Sequence, residues 1–330
     1  MKLYAAISVI LLLTMLFVPL FSLLGTGETK NVSASINCEV TEEKNKETES
    51  EEKKEEKSND GIRVLRTSSG KIENVDMKTY VVCCVASEML PTYEKEALKA
   101  QAVVSYTYAL YLMSEPYNDT ADISDDSSVH QAYKSKKEIK EKWGDKYDEY
   151  IERIESAVSE VEGEYLTYEG EIIKPAYHAM SSGRTNSALD VWGSDIPYLK
   201  SVTSDGDRLS PKFISTYDFS EIEMKKMLSG ICSKTIDSIS VGEALTNSGG
   251  YVKNIEISGV SFTGESIRKA FSLRSGAFTL TQEGDTFTFT CTGYGHGVGM
   301  SQNGAQYMAK NGSTYDEILY HYYTGIEIKS

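Results

Sequence analysis

A charged segment divides this sequence into a short apolar start and a long region with the composition of a folded protein. Residues 26–61 are polar and end in the run TEEKNKETESEEKKEEKSNDG, which has no aromatic residue and no apolar periodicity. Such a segment cannot bury enough apolar surface to offset the conformational entropy lost on folding. Because Glu and Lys are good helix formers, a helical spacer is the alternative to disorder. In either form we expect residues 26–61 to be a tether and residues 62–330 to form one folded domain.

The residues before the tether predict a membrane anchor. Residues 5–24 are uncharged and apolar, and this is long enough to span a bilayer as a helix. Lys2 and the amino terminus carry the positive charge before this run, which predicts a cytoplasmic N-terminus and a chain that continues outside. A cleaved signal peptide is the alternative, but its apolar part is usually shorter, and the small-x-small site at residues 32–34 comes late. We therefore expect residues 1–25 to be an uncleaved single-pass anchor.

The overall charge argues against one class of function. The chain carries a formal net charge of −15 at pH 7. Proteins that bind nucleic acid need a basic surface against the phosphate backbone. We expect no nucleic-acid partner.

Cysteines and histidines show no metal-binding pattern. The five cysteines include no Cys-x-x-Cys pair. Cys83 and Cys84 are adjacent inside an apolar run, where small buried side chains are expected, and a disulfide framework is not. The four histidines are far apart and none has the spacing of a zinc-binding helix: His130, His178, His296 and His321. We predict no metal and no cofactor.

The order of apolar patterns predicts the α+β class, because helices and strands are mixed without strict alternation. We expect strands at residues 62–65, 165–168, 172–178, 251–257, 271–273 and 278–291, a Gly-rich strand at 293–299, and a closing strand at the C-terminus. We expect helices at residues 76–86, 94–113, 135–161, 221–228 and 314–323, and a short one starting at Gln302. Residues 118–128 and 204–210 are expected to be polar surface loops.

Glu88 stands at the end of an apolar run. Residues 81–86 are apolar, Glu88 is the carboxylate that follows them, and Pro91 breaks the chain just beyond. Burial disfavours the charged form of a carboxyl group and can make it a general acid near neutral pH. The alternative is a solvated residue at a helix corner, which is the usual place of an acidic side chain.

Two further segments carry candidate binding residues. Residues 178–185 bring an imidazole, hydroxyl groups and a guanidinium to the end of a predicted strand, which is typical of a binding loop but also of a Ser-rich turn. A Ser–His–Asp triad from His178, Ser182 and Asp190 is disfavoured, because there is no Gly-x-Ser-x-Gly turn. The four alternating glycines at residues 293–299 would leave one strand face bare for close approach of a backbone or ligand. Their spacing does not match a dinucleotide-binding loop.

Three segments together resemble the stage II sporulation protein D family, which includes amidase-enhancer proteins. They are YVVCCVASEM at residues 80–89 with EALKAQAV at 96–103; YH at 177–178 with SGRT at 182–185, DVWG at 190–193 and PYL at 197–199; and GHGVGMSQ at 295–302 with GA at 304–305 and HYY at 321–323. They follow one another in the family's order, and the resemblance covers about residue 62 to the C-terminus.

The resemblance implies a peptidoglycan lytic transglycosylase that acts during sporulation engulfment. It would cleave the MurNAc–GlcNAc bond and leave a 1,6-anhydro end, with the sugar's own 6-hydroxyl as nucleophile and Glu88 as acid and then base. The residues implied to bind glycan are Tyr177, His178, Ser181, Ser182, Arg184, Thr185, His296, Ser301 and Gln302. Glycan strands, a sporulation amidase and a polytopic membrane protein are the implied partners. The implied location is the cell membrane, with the catalytic domain outside the cytoplasm of the engulfing mother cell.

The sequence departs from the family pattern at two places. The family usually has an Arg where this chain has Tyr106, and this keeps open a non-catalytic wall-binding module that activates a partner amidase. Some members carry a His/Cys zinc cluster in the loop that corresponds to residues 118–129, and here that loop lacks Cys. A hydrolase of another class, such as a serine peptidase, is a third reading.

Overall fold

The structure is a computed structural model that describes residues 61–232 and 234–330. These residues belong to one compact unit. The predicted anchor, residues 1–25, lies outside the described residues, and so does the predicted tether apart from Gly61. Among the described residues, no helix is both long and apolar enough to cross a membrane.

The predicted α+β class is confirmed. The helices are α1 (Met77–Glu88), α2 (Lys95–Ser114), α3 (Lys136–Trp143), α4 (Tyr147–Glu160), α5 (Ala188–Trp192), α6 (Glu221–Ser229), α7 (Gly264–Ala270), α8 (Gln302–Lys310) and α9 (Tyr315–Tyr322). The strands are β1 (Gly61–Arg66), β2 (Lys71–Asp76), β3 (Ile123–Ser124), β4 (Tyr165–Tyr168), β5 (Glu171–Ile172), β6 (Tyr177–His178), β7 (Ile214–Ser220), β8 (Val241–Thr246), β9 (Val252–Ile257), β10 (Val260–Thr263), β11 (Phe278–Glu283), β12 (Thr286–Thr292), β13 (Met300–Ser301) and β14 (Glu327–Lys329).

Helix α1 is buried on nearly every side, in agreement with its uniformly apolar sequence. Residues 80–86 are all buried in the larger of two hydrophobic cores. Asp76 begins the helix by accepting a hydrogen bond from the Thr79 amide at 2.9 Å, which satisfies one of the free N–H groups of the first turn. The predicted burial of Cys83 and Cys84 is confirmed, since both are fully buried. Helix α2 packs against α1 and extends the same core.

The strands form small sheets around these helices. The sheet orders are β2–β1–β3, β5–β4–β14, β6–β13, β7–β12–β11 and β8–β9–β10. Strands β6 and β13 run parallel, with Tyr177 opposite Met300 and His178 opposite Ser301. This pairing brings together two segments that are far apart in the sequence. It forms the part of the fold that positions the candidate site.

A second hydrophobic core lies between the sheet β7–β12–β11, the sheet β8–β9–β10, and helices α6 and α7. Its centre is a cluster of phenylalanines, in which Phe271 lies 5.1 Å from Phe219 and 4.9 Å from Phe289 between ring centroids. The predicted strand at residues 271–273 is wrong. Phe271 ends helix α7 and Ser272 has a positive φ of 51°. Phe271 and Leu273 are apolar because they fill the core, not because they belong to a sheet.

Two further predictions about the elements are wrong. The expected surface loop at residues 118–128 contains the buried strand β3, parallel to β1, because Arg63 pairs with Asp122 at 2.6 Å and allows this acidic segment to pack inward. The expected single helix at residues 135–161 is two helices, because Gly144 has a φ of 55° and starts a short 3₁₀ turn. A helix cannot continue through that backbone conformation.

The strand expected at residues 172–178 is also interrupted. Only Glu171–Ile172 and Tyr177–His178 pair in sheets. Pro175, which lacks a backbone N–H, stands between them and cannot take part in a ladder. The strands β4 and β5 pair as a hairpin through Glu169 and Gly170, and both residues have positive φ, at 53° and 87°.

The Gly-rich segment at residues 293–299 is not a strand. Its four glycines all have positive φ: 80° at Gly293, 112° at Gly295, 82° at Gly297 and 71° at Gly299. The predicted close approach to other groups is confirmed. A Cβ atom on Gly293 would lie 2.7 Å from the carbonyl oxygen of Ser181, and one on Gly299 would overlap the carbonyl oxygen of Ala176. The segment therefore packs tightly against the chain around β6.

Candidate active site

A groove of about 800 Å³ passes over the C-terminal end of α1 and the paired strands β6 and β13. Its walls come from segments that are far apart in the sequence. The polar and aromatic side chains that line it include Glu88, Tyr108, His130, Gln131, Lys174, Tyr177, His178, Trp192, Tyr294, His296 and Gln302. Five residues predicted to form the site, Glu88, Tyr177, His178, His296 and Gln302, are thus brought together in one groove.

Glu88 is the last residue of α1 and is half-buried at the base of the groove. Its Oε1 accepts a hydrogen bond from the Ala132 amide at 2.6 Å and another from the Tyr177 hydroxyl at 3.0 Å. Burial raises the pKa of the Glu88 carboxyl above its usual value, and the hydrogen bonds from Ala132 and Tyr177 oppose part of that rise. This is the environment of an acid that can hold its proton closer to neutral pH.

A layer of buried amides lies behind Glu88. Gln131 Nε2 donates to the Tyr80 hydroxyl at 2.9 Å and to the Ser105 carbonyl oxygen at 3.2 Å. Gln302 Nε2 donates to Gln101 Oε1 at 3.2 Å. These contacts join α1, α2 and α8 to the segment before α3. The residue pattern around Gln131 did not single it out as part of the site.

Two histidines lie side by side in the groove, with ring centroids 5.7 Å apart. His178 is 4% exposed, and its Nδ1 lies 3.0 Å from the Val298 carbonyl oxygen, so Nδ1 carries the proton. Its Nε2 has no hydrogen-bond partner among the described residues. Burial lowers the pKa of His178 to about 4, and burial beside His178 lowers the pKa of His296 to about 3. Both rings are therefore neutral at pH 7.

An aromatic edge borders the groove beyond the histidines. The Trp192 ring at the end of α5 lies 5.7 Å from that of His296, and the Arg274 guanidinium lies 5.2 Å from the Tyr294 ring centroid. Trp192 is 48% and Tyr294 49% exposed. Sequence reasoning did not count either as a site residue. A half-exposed large aromatic is a usual sign of a binding surface, but exposure cannot be read from a single sequence.

The remaining predicted site residues lie in the wall behind the groove. The Ser182 hydroxyl donates to the Gly249 carbonyl oxygen, and the Ser182 amide donates to the Tyr251 hydroxyl at 3.2 Å. The Thr185 hydroxyl accepts from the Val202 amide at 2.8 Å. Arg184 is half-buried and forms a β-bridge with Thr203. Ser181 and Ser301 are fully buried. Their contacts hold the loop in place.

Ser181 and Ser301 both bind Asp207, which sequence reasoning missed. The Asp207 carboxylate is fully buried and accepts five hydrogen bonds. Ser181 donates through its amide and hydroxyl, and Ser204, Ser301 and Asn303 donate through their side chains. Residues 204–210 were expected to form a polar loop. Instead a 3₁₀ helix, Asp205–Leu209, turns Asp207 inward, and no sequence signal distinguishes this Asp from an exposed one.

Tyr106 does not line the groove. It lines a separate cavity of about 130 Å³ together with Met77, Val81 and Val161. Tyr106 is therefore on the far side of α2 from the candidate site. Within residues 61–232 and 234–330, no three His, Cys, Asp or Glu side chains are grouped so that they could hold a metal ion.

Comparison with known proteins confirms the resemblance noted in the sequence. The family described as stage II sporulation protein matches residues 66–168. Stage II sporulation protein D of Bacillus subtilis (strain 168) is 37% identical over 332 residues, covering 99% of this chain and 96% of that protein. Stage II sporulation protein D of Bacillus amyloliquefaciens is 40% identical over 270 residues, covering 81% and 78%. The amidase enhancer of Bacillus subtilis (strain 168) is 24% identical over 299 residues, covering 74% of this chain and 40% of that protein. The chain belongs to the stage II sporulation protein D family.

Proposed function

We propose that this protein is a lytic transglycosylase that cleaves peptidoglycan glycan strands during sporulation, with Glu88 as its catalytic acid and base. The observation that supports this most directly is the Glu88 carboxyl, half-buried, with a raised pKa, at the base of a groove of about 800 Å³. This volume lies within the range of about 300–1,000 Å³ that is usual for ligand-binding sites.

The number of carboxylates favours transglycosylation over hydrolysis. Of the side chains described along the groove, Glu88 is the only carboxylate. Hydrolytic glycosidases usually use two, one to protonate the leaving oxygen and one to attack or to activate water. A reaction in which the substrate supplies its own nucleophile needs only one group that donates and then accepts a proton.

The proposed steps balance without water. The neutral Glu88 carboxyl donates its proton to the oxygen of the MurNAc–GlcNAc bond, and the bond from MurNAc C1 to that oxygen breaks. The 6-hydroxyl of the same MurNAc attacks C1, and the Glu88 carboxylate takes the hydroxyl proton. The products are a 1,6-anhydro-MurNAc end and a free GlcNAc 4-hydroxyl, and Glu88 is again neutral. An acid with a raised pKa is suited to both steps.

The aromatic edge and the two neutral histidines support a carbohydrate ligand. Trp192 and Tyr294 offer half-exposed ring faces, which suit the apolar faces of sugar rings. His178 and His296 offer hydrogen-bonding atoms without charge, which suit hydroxyl and acetamido groups.

Location and partners belong to the same proposal. The apolar residues 5–24 support a single-pass anchor with the groove-bearing domain outside the cytoplasm, on the engulfing mother-cell membrane. A sporulation amidase and a polytopic membrane protein are the proposed partners. Similarity to a protein named amidase enhancer favours a second candidate function, in which the domain binds the wall and activates an amidase without cleaving glycan itself.

The test is product analysis with the purified full-length protein and isolated glycan strands. We expect products with anhydro ends in mass spectrometry, and a loss of about 100- to 10,000-fold in their rate in Glu88→Gln. Glu171→Gln, an exposed change on β5, is the matched control and should cleave at the wild-type rate. Reducing ends would indicate hydrolysis. An absence of products with a stimulated amidase would favour the second candidate, and an active Glu88→Gln would show that the acid is another residue.

A further inference from the structure

The Tyr177 hydroxyl lies between two acceptors that belong to different parts of the chain. It is 3.0 Å from Glu88 Oε1 and 3.4 Å from Gln131 Oε1. Strand β6 holds Tyr177 in place through its pairing with Met300 on β13. Burial and the neighbouring Glu88 raise the pKa of the Tyr177 hydroxyl well above its usual value, so it keeps its proton and acts as a donor. Either acceptor can receive that proton in a hydrogen bond.

The orientation of Gln131 is set by its other contacts. Its amide nitrogen faces the Ser105 carbonyl oxygen at 3.2 Å, and a carbonyl oxygen can only accept. The same nitrogen lies 2.9 Å from the Tyr80 hydroxyl. Gln131 Oε1 must therefore point toward Tyr177 as an acceptor. The side chain is 4% exposed, so water does not offer a competing partner.

The two oxygens of Glu88 are not equivalent. Oε1 already accepts from the Ala132 amide at 2.6 Å and from the Tyr177 hydroxyl. A carboxyl oxygen has two lone pairs in its plane, and two donors occupy both of them. A proton on the neutral carboxyl group consequently belongs on Oε2.

We propose that Tyr177 is a positioning residue which, together with the Ala132 amide, confines the exchangeable proton of Glu88 to Oε2, with Gln131 as the alternative acceptor for its hydroxyl. The proposal deepens the proposed function and rests on it for its consequence in catalysis. As Glu88 gives up its proton, Oε1 becomes a stronger acceptor and the Tyr177 hydrogen bond to it strengthens, because bonds to a charged group are stronger than those to a neutral one. When Glu88 is protonated again, the Tyr177 hydroxyl can also donate to Gln131 Oε1, and the tyrosine side chain does not need to change its conformation.

The proposal assigns Tyr177 a role that differs from direct glycan binding, and the two can be separated. A glycan-binding tyrosine affects KM and leaves the titration of Glu88 in the free protein unchanged. A tyrosine that positions the proton alters that titration without any substrate. Tyr177→Phe removes the hydroxyl and keeps the ring, so it is the informative change.

The experiment follows the Glu88 carboxyl carbon by ¹³C NMR in the full-length protein labelled at glutamate side chains, with Glu88→Gln to assign the signal. In Tyr177→Phe we expect the titration midpoint of Glu88 to rise by about one pH unit. The reason is that the carboxylate form loses a hydrogen bond, and such a bond stabilises a charged group by a free energy of that order. We expect kcat for anhydro product to fall about 10- to 100-fold with KM little changed. Gln131→Met, which removes the competing acceptor, should move the titration the opposite way.

Tyr133→Phe is the matched control. Tyr133 is also buried, its hydroxyl lies 3.4 Å from Glu73, and it does not line the groove. Its variant should titrate as the wild type does at Glu88. An unchanged Glu88 titration in a folded Tyr177→Phe would overturn the proposal, even if activity fell. If the titration moves while the wild-type protein produces no anhydro ends, the positioning contact stands and the proposed function fails.

Discussion

The Ser301 hydroxyl donates a hydrogen bond to Asp207 Oδ1 at 2.8 Å, across 94 residues of sequence. The other oxygen of the same carboxylate accepts from the Ser181 hydroxyl at 2.6 Å. Ser301 ends β13, and Ser181 lies just beyond β6, so one buried side chain ties together the two strands that run beneath the groove. Asp207 therefore supports the positions of Tyr177 and Gln302 without contacting the groove.

Asp207→Asn should destabilise the folded protein by about 2–4 kcal/mol. An amide at this position would place N–H donors against the donors that now bind the carboxylate, and it would leave buried polar groups unpaired. Denaturant unfolding followed by circular dichroism measures the change. Asp205→Asn lies on the same 3₁₀ helix at a largely exposed side chain and should change stability little. Equal stability of the two variants would remove the structural role assigned to Asp207.

Gly299→Ala should be far more disruptive than the same change at Gly312. Both glycines have positive φ, 71° and 94°, so both substitutions meet the backbone strain of about 1 kcal/mol. Only at Gly299 would the new Cβ also overlap the carbonyl oxygen of Ala176, while nothing lies within 4 Å at Gly312. We expect about 3 kcal/mol or more of lost stability in Gly299→Ala. Thermal unfolding of the two variants compares them, and similar melting temperatures would be the contrary result.

Trp192→Ala should weaken glycan binding and leave the fold intact. The ring is half-exposed beside His296, so its removal takes away a ligand-facing surface rather than core packing. Loss of one aromatic contact of about 1.4 kcal/mol corresponds to about a tenfold rise in Kd or KM. Leu189→Ala, on the same helix α5 and also about half-exposed, is the control. Binding of glycan strands by titration calorimetry checks this, and an unchanged affinity in Trp192→Ala would place the glycan elsewhere.

The buried His178 predicts a loss of stability in acid. Its pKa is about 4 in the folded protein and 6.5 in the unperturbed residue, so the unfolded chain binds more protons between these values. The free energy of unfolding should therefore fall as pH falls from about 6.5 to about 4, by about 3 kcal/mol from this group. His296 contributes in the same direction at a still lower pKa.

Denaturant unfolding across this pH range tests the assignment to His178. His178→Asn keeps an N–H donor for the Val298 carbonyl oxygen but has no group that titrates there. Its stability should decline less steeply toward low pH than that of the wild type. His321→Asn, on helix α9, changes a ring whose Nε2 lies 2.7 Å from the Thr203 carbonyl oxygen in an exposed setting, and serves as the control. Parallel curves for wild type and His178→Asn would contradict the prediction.

Several elements could be predicted because their signals are local. The starts of α1, α6 and α8, the apolar run of α1 and the end of β4 all depend on residues within a few positions of one another. Such patterns report the conformation of one element directly. For the same reason Glu88 could be recognised as the polar end of a buried helix.

Other elements were misread because two conformations share one local pattern. Alternating glycines fit a strand with a bare face, and they also fit a loop in which each glycine takes a positive φ. The second is found at residues 293–299, since Ser181, His178, Tyr251 and Ala176 lie too close to allow any side chain there. Strands β2, β7, β8 and β10 and helices α5 and α7 were not predicted from the sequence.

The sequence by itself determined the α+β class, the family, the charged segment before the folded region, and the place of Glu88 at the end of α1. Only the tertiary structure decided which polar residues face the groove and which support it. Ser181 and Ser301 turn to the buried Asp207, while Gln131 and Trp192 join the groove. Local sequence patterns reflect which residues of one element are buried. The hydrogen-bond partner of Ser301 is 94 residues away, and it depends on how the elements pack against each other, which no periodicity in the sequence records.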